Sequence, residues 1–452
     1  MKTRLWLGMA MIILSGLAGA PPWCSGAEEK AVFELKEVSA FEQTSQRTWL
    51  QRGQTAPCTP QPDQAVKKYP ELKSKKPLYG SVVLGRDVAD PKSGVEYQFV
   101  VDESDQKVSG SQYDRLYFDL NRDLDLTNDP VLMVMKDPPA GVKPPWEVKQ
   151  VAVFDYVAIP FDYGPEVGSR PLRILPRLSV NENYAQMSFV PSVARKGMIK
   201  IGKRQYEAVL IQPYTVSGRF DKPYIHLELM PNGFAEGPDF RWGLDELGAL
   251  REVDGQFYTL SASPLGEKLT VEPYRGELGT FAVGAGGRDI KNLGMSGSLR
   301  TTVSAVGIGP RIDGPGSGVR ECRVPVGDYL PSYMTVQFGR LRICISQNYH
   351  SDGHPRDTTN RDWVYGMKVR EDKPFVLDFS NKPNVLFASP ARNQTFKPGD
   401  EVNMAAVLVD PVLDIMIRRL DDTTHGNQSL DPAVTITDAS GREVYTGKMP
   451  FG

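Results

Sequence analysis

The sequence predicts a mainly β, multi-domain chain built of antiparallel sandwich or barrel modules. Short runs rich in Val, Ile, Tyr and Phe recur along most of its 452 residues. Turn-forming residues part them, with 42 Gly and 36 Pro in all, and helical periodicity is nearly absent. Such spacing favours strands joined by tight connections over helix-linked parallel sheets. The length suits about two to four domains, each large enough for a core of its own. Composition divides the chain into a signal segment over 1–27, a polar arm over 28–77, a β-rich domain over 78–235, a second over 236–381, and a last β block over 382–452.

The first segment has the build of an export signal. Met1-Lys2-Thr3-Arg4 is a basic start, and Leu5 to Leu17 is apolar but too short to span a bilayer. Small residues at Ser25 and Ala27 place the expected mature start at Glu28, because cleavage after Ala20 would leave Pro21 first. An exported chain without a later transmembrane segment is expected, in the periplasm, at the cell surface or outside the cell. Loss of Lys2 and Arg4, with no acid lost, moves the formal net charge from −2 to −4. That mildly acidic balance excludes nucleic acid as a partner, since phosphate backbones need a concentrated basic face.

Residues 28–77 are polar, with one strand expected near Val32–Leu35. From Leu78 onward, strands are expected at Tyr79–Leu84, Tyr97–Val101, Leu116–Asp119, Val131–Met135, Val151–Tyr156, Ala185–Val190, Met198–Ile201, Tyr206–Gln212 and Ile225–Met230. Ser217 to Pro223 reads as a turn. Around Pro231 to Asp245 the composition shifts to Gly, Pro and Asp, which marks a boundary. The second block carries strands at Gln256–Ser261, Lys268–Pro273, Thr280–Val283, Ser298–Val306, Gly318–Val324, Tyr333–Phe338 and Leu341–Ser346. In the last block, Asp410-Pro411 opens either a helix, with Leu413, Met416, Ile417 and Leu420 on one face, or a strand. Pro432 to Tyr445 reads as strand, turn, strand.

Three cysteines remain after Cys24 leaves with the signal. Cys322 and Cys344 form either a disulfide or two buried thiols. Cys58, between Pro57 and Thr59, reads as a free, exposed thiol.

One stretch has both the residue types and the spacing of a known chemistry. Asp119, Asn121, Asp123, Asp125, Thr127 and Asp129 place an oxygen-bearing side chain at every second position, directly after Leu116-Tyr117-Phe118. A hard cation such as Ca²⁺ takes six to eight oxygen ligands, and a chain with alternate carboxylates and amides can wrap around it. The stretch resembles the EF-hand and dockerin calcium loops over about a dozen residues. That resemblance puts Asp119, Asn121 and Asp123 at positions one, three and five, and Asp125 where a backbone carbonyl binds. Leu126 becomes the apolar anchor, Thr127 a direct or water-mediated ligand, and Asp129 the closing carboxylate. Two departures weaken it. Leu124 stands where the turn ordinarily has glycine, and Pro130 where a bidentate acid closes the shell. Affinity is therefore expected near the extracellular range of roughly 10⁻⁴–10⁻³ M. The flanks read as strands, so the site is expected as strand–loop–strand. The alternative is an acidic turn without metal, as Asp and Asn are ordinary turn formers.

Two shorter stretches carry resemblances of their own. Val324-Pro-Val-Gly-Asp-Tyr329 is similar to the P-x-G-x-Y turn of prealbumin-like and carboxypeptidase-regulatory-like sandwiches, which implies an unusual Gly327 backbone and a Tyr329 packed back on its sheet. Phe387-Ala-Ser-Pro390 followed by Phe396 to Val402 resembles the first hairpin of immunoglobulin-like domains, which implies such a domain over 382–452. As a whole the layout resembles secreted β-rich bacterial proteins of the planctomycete type, a likeness that implies no activity.

Other candidates are weaker. His350 and His354 have a metal-like spacing, but Gly353 and Pro355 forbid the helix that would put them on one face. The glycine runs at Gly284–Gly287 and Gly307–Gly318 lack the lysine of a phosphate loop. No nucleophile elbow occurs. Trp49, Trp146, Trp242 and Trp363 read as core anchors. No catalytic or organic-cofactor residue is therefore assigned. The expectation is an exported, non-enzymatic binding or surface-assembly protein with a structural calcium loop, its partner an extracellular protein or polysaccharide. The alternative is a secreted hydrolase acting on polysaccharide.

Overall fold

The computed structural model describes residues 29–41, 53–86, 92–104, 112–139, 142, 148–182, 184–212, 216–222, 225–231, 245–302, 304–308, 318–346, 349–350, 354, 356, 364–390, 393–424, 426 and 428–449. The segment expected as an export signal, together with Trp49, Trp146, Trp242, Trp363 and His425, lies outside these residues. Among them the chain is mainly β, with no α-helix and with antiparallel pairing nearly throughout. Phe375–Asp378 is the exception among the strands, pairing in parallel with Leu278–Gly284.

Three sheet-on-sheet cores account for most of the buried apolar side chains. In the first, the sheet Leu78–Leu84, Val95–Asp102, Arg115–Phe118, Val131–Met133 packs on a five-stranded sheet centred on Ser169–Val180 and Ala185–Pro191. Period-two alternation sends Val82, Tyr97, Phe99, Leu116 and Phe118 inward from one sheet, and Ile174, Leu178, Met187 and Phe189 from the other. The phenyl rings interlock, with Phe99 and Phe118 at 5.7 and 5.5 Å from Phe189. Burial of each such ring stabilises by about 1.5–3 kcal/mol.

The second core lies between the sheet of Val193–Ile201, Arg204–Ile211 and His226–Pro231 and that of Gln256–Ala262 and Lys268–Pro273. Its strands come from both sides of the boundary expected at 235/236. The polar stretch 28–77, expected as an arm, is woven into the sheets. Ala31–Glu34 pairs with Lys268–Pro273, Lys36–Ser39 with Val193–Ile201, and Gln54–Pro57 with Ala185–Pro191. Its apolar residues are few because each strand covers only one edge of a sheet. Cys58 follows the last of these strands and is half-buried against the first core, where burial pushes its thiol up to about 12.

The third core lies between the sheet of Leu278–Gly284, Glu321–Pro325 and Phe375–Asp378 and a nine-stranded sheet. Ile415–Asp422 is a strand of that larger sheet. Asp410 caps the turn before it, accepting from the amides of Val412 and Leu413 at 2.9 and 3.0 Å. Leu341–Ser346 is already in place as its partner, which decides strand over helix. Through this pairing Asn384–Ser389, Ala405–Asp410 and Ile415–Asp422 extend a sheet begun before the boundary expected at 381/382. Ala433–Thr437 and Glu443–Lys448 form the expected strand–turn–strand as a separate, largely exposed hairpin. Cys322 and Cys344 sit in different sheets and are both free thiols.

Tyr329 packs back on its sheet, 2% exposed, and donates its hydroxyl to the Pro325 carbonyl at 2.6 Å. The unusual backbone expected of Gly327 is not a positive-φ one. A side chain there would instead meet the Tyr329 ring at 3.3 Å.

Gly297 is where the third core needs a glycine. Its φ is 140°, and an added Cβ would lie 2.2 Å from the Tyr333 carbonyl oxygen of the neighbouring strand. The pairing shifts register next to it, between Ser298 and Leu299. Gly297→Ala should destabilise the chain by about 1–3 kcal/mol, read as a lower urea midpoint.

Candidate metal centre

The acidic loop joins Arg115–Phe118 to Val131–Met133, two neighbouring strands of the first sandwich. The site is thus strand–loop–strand, and its flanks explain how it is held. Leu116 and Phe118 enter the first core while Tyr117 faces the other side of the sheet. There Tyr117 meets Val100, Val66 and Leu126, and Leu126 is 0% exposed. Leu126 therefore anchors the loop on the outer face.

The backbone turns sharply within the loop. Arg122 and Leu124 have φ of 62° and 67°. Leu124 thus adopts the left-handed conformation that glycine ordinarily supplies at position six, at a cost of about 1–2 kcal/mol. That turn lets the Leu124 amide donate to Asp119 Oδ2 at 3.1 Å. Short side-chain-to-backbone bonds set the rest of the curve. Asn121 Oδ1 accepts from the Asp123 amide at 3.0 Å, Asp123 Oδ1 from Asp125 at 2.8 Å, and Asp125 Oδ1 from Thr127 at 3.0 Å.

The six expected donors divide into two groups. Asp119 is 1% exposed, and its Oδ1 is buried without a hydrogen-bond partner. Asp129 accepts from the Leu120 amide at 3.2 Å through Oδ1, while its Oδ2 is likewise buried and unpartnered. Burial, and then the charges of Asp119 and Asp123, raise the Asp129 carboxyl above its ordinary value. The burial and neighbouring negative charges that raise the ionisation cost of Asp129 are what a cation would relieve.

The other donors are occupied within the loop. Asp123 Oδ2 accepts from Asn128 Nδ2 at 2.7 Å, and this bond above all lowers the Asp123 carboxyl. Asp125 is lowered chiefly by its bonds from Thr127, whose hydroxyl reaches Oδ1 at 2.5 Å. Its other oxygen faces the Lys68 ammonium at 3.6 Å. Asp125 thus caps a turn with its side chain, which leaves its carbonyl as the donor expected at that position.

Among the described residues no three His, Cys, Asp or Glu side chains converge to hold a metal ion. The loop oxygens left without a partner are Asp119 Oδ1 and Asp129 Oδ2, so a cation held there would draw its remaining ligands from main-chain carbonyls and water. Hard oxygen donors of this kind suit Ca²⁺ and give no affinity for a thiolate- or imidazole-seeking metal.

Sequence reasoning missed the segment that clamps the loop from outside. The amides of Lys67 and Lys68 donate to the Leu124 carbonyl at 2.9 and 3.2 Å, and Leu126 donates back to Lys68 at 3.0 Å. Lys67 Nζ also takes the Asp123 carbonyl at 2.9 Å. Farther along, Lys73 and Ser74 donate their amides to the buried Asp102 carboxylate at 2.9 and 2.7 Å. Residues 63–76 therefore form a strap across the outer face of the sheet, with Val66, Tyr69 and Leu72 beneath it. The visible signal was the spacing of Val66, Tyr69 and Leu72, each three residues apart, which matches neither the period of an α-helix nor that of a strand. The His350 amide donates to the His354 carbonyl at 2.7 Å.

No family model matches this chain. Searches of curated proteins and of solved structures likewise found no match. Among the described residues no helix is long and apolar enough to cross a membrane.

Proposed function

We propose that this chain is an exported, non-enzymatic β-sandwich protein of binding or surface assembly, and that its 119–129 loop holds a structural Ca²⁺. One observation carries the calcium reading: Asp119 Oδ1 and Asp129 Oδ2, buried at the two ends of one loop, have no hydrogen-bond donor. Buried carboxylate oxygens are ordinarily satisfied, and an ion satisfies two at once. Bound there, Ca²⁺ would supply no chemistry beyond charge. It would tie Arg115–Phe118 to Val131–Met133 and stiffen the turn against which the strap closes.

Serial sandwiches without a nucleophile motif support the binding role, and the partner is proposed to be an extracellular protein or polysaccharide. The likeness of 387–402 to an immunoglobulin-like first hairpin supports the same reading, through the pairing of Asn384–Ser389 with Ala405–Asp410.

Calorimetry of calcium binding on the whole chain tests the ion site, beside an Asp119→Ala/Asp123→Ala variant. One saturable site that vanishes in the variant is the expected result. No heat of binding at millimolar calcium in the wild-type chain would overturn it and leave an acidic turn.

A further inference from the structure

The first sandwich buries a guanidinium that no carboxylate among the described residues neutralises. Arg177 lies mid-strand in Ser169–Val180 and is 3% exposed. Its Nη1 donates to the Val142 carbonyl at 2.6 Å, and its Nη2 reaches Ser188 Oγ only at 3.5 Å. Its Nε is buried without a partner. No ion pair is formed by this residue among the described residues, and burial alone lowers its pKa to about 10, so it stays charged near neutrality.

The surroundings repeat the pattern. Arg177 pairs across the sheet with Ser188, which pairs with Thr55, while Ser179 pairs with Gln186. Residues directly opposite on neighbouring strands share a face, as do residues two apart. Arg177, Ser179, Ser188, Gln186 and Thr55 therefore form one polar strip on the face away from the first core. Ser179 and Ser188 are each 3% exposed, and Ser179 Oγ also lacks a partner. Phe41, Val142, Val153, Leu175 and Val190 cover this end of the face. Toward the edge strand the strip opens, with Gln186 half-buried and Thr55 exposed.

A buried, unpaired charge is expensive to hold, and an arriving counter-charge with matching hydrogen bonds would relieve that cost. With Nη1 tied to a carbonyl, the edge of the guanidinium that remains is Nε and Nη2. Two parallel N–H groups on one edge match the two oxygens of a carboxylate. From this geometry we infer that Arg177, with the hydroxyls of Ser179 and Ser188, is a binding site for the carboxylate of a small ligand. The carboxylate enters along the strip from the Gln54–Pro57 edge, where Thr55 is exposed.

The test follows the unfolding midpoint of the whole chain as sodium formate replaces a bulky sulfonate at constant ionic strength. The wild-type midpoint should rise by about 3–5 °C for each tenfold increase in formate beyond its dissociation constant. Arg177→Lys keeps the charge but not the two-pronged edge, and should lose the response. An equal response in Arg177→Lys, or none in the wild-type chain, overturns the inference. So does an equal response to chloride, which assigns the site to any small anion. Should Arg177→Lys fail to fold, line broadening of ¹³C-formate by the wild-type chain, reversed by unlabelled formate, is the expected sign of the site, and its absence overturns the inference.

Discussion

Calcium at about 10 mM should raise the unfolding midpoint of the wild-type chain by about 3–10 °C and leave Asp129→Asn nearly unmoved. The size follows from mass action. An extracellular-range dissociation constant of roughly 10⁻⁴–10⁻³ M corresponds to about 1.4–2.7 kcal/mol at that concentration. For a cooperative unit of about 150–250 residues, each kcal/mol moves the midpoint by about 2–4 °C. The variant is informative because its two expected effects oppose each other. In calcium-free buffer the Asp129 carboxylate is an uncompensated charge, raised by burial and then by Asp119 and Asp123. A neutral amide there should leave the calcium-free chain as stable as wild type or more so. In calcium the order should reverse. The pH dependence has a definite sign as well. Since the folded pKa of Asp129 lies above its ordinary 3.8, the associated stability is present below that value and is lost as pH rises through the raised one. Calcium, which favours the ionised form, should shrink that loss. A wild-type midpoint indifferent to calcium would remove the ion site.

Leu126→Ala should cost about 2–5 kcal/mol, the range for emptying a fully buried leucine site. Leu126 is 0% exposed and lies among Val66, Val100 and Tyr117, with Tyr69, Leu72 and Tyr79 around them. Its amide also holds the Lys68 carbonyl. Its removal therefore loosens the loop and the strap together. Limited proteolysis within 63–76 should quicken in Leu126→Ala, and calcium should restore part of the protection. A fall in stability with no change in cleavage would show that strap and loop are held independently.

The acidic loop was legible because its chemistry is local. Alternate oxygens, a buried Leu126 and two flanking strands are written within Leu116–Met133, and each follows from period-two alternation. Leu124 was legible only as a misfit. Leucine disfavours a positive φ, yet the bond from its amide to Asp119 and the clamp from Lys67 and Lys68 hold it at 67°. Within residues 28–77 the strand near Val32–Leu35 was legible, but the pairing of the stretch was not, for the opposite reason. Its partners lie as far away as Lys268–Pro273, so nothing nearby marks Ala31–Glu34 as half of a pair. The choice between helix and strand at 411–420 had the same origin, since Leu341–Ser346 decides it. Arg177 was invisible as well, because a lone arginine in a strand pattern reads as a solvent-facing residue until its neighbours are known.

The pairing of Ala31–Glu34 with Lys268–Pro273 also sets an order of events during synthesis. Ala31–Glu34 cannot find its partner until the more than 230 residues between Glu34 and Lys268 have followed it from the ribosome. Contacts so distant in sequence make folding slow, and an unmatched strand edge recruits other chains in the meantime. A fragment ending near residue 235 would keep that edge bare permanently. Shortened versions of this chain should therefore aggregate unless they reach past Pro273, and translation pauses before that point would be the moments of greatest exposure.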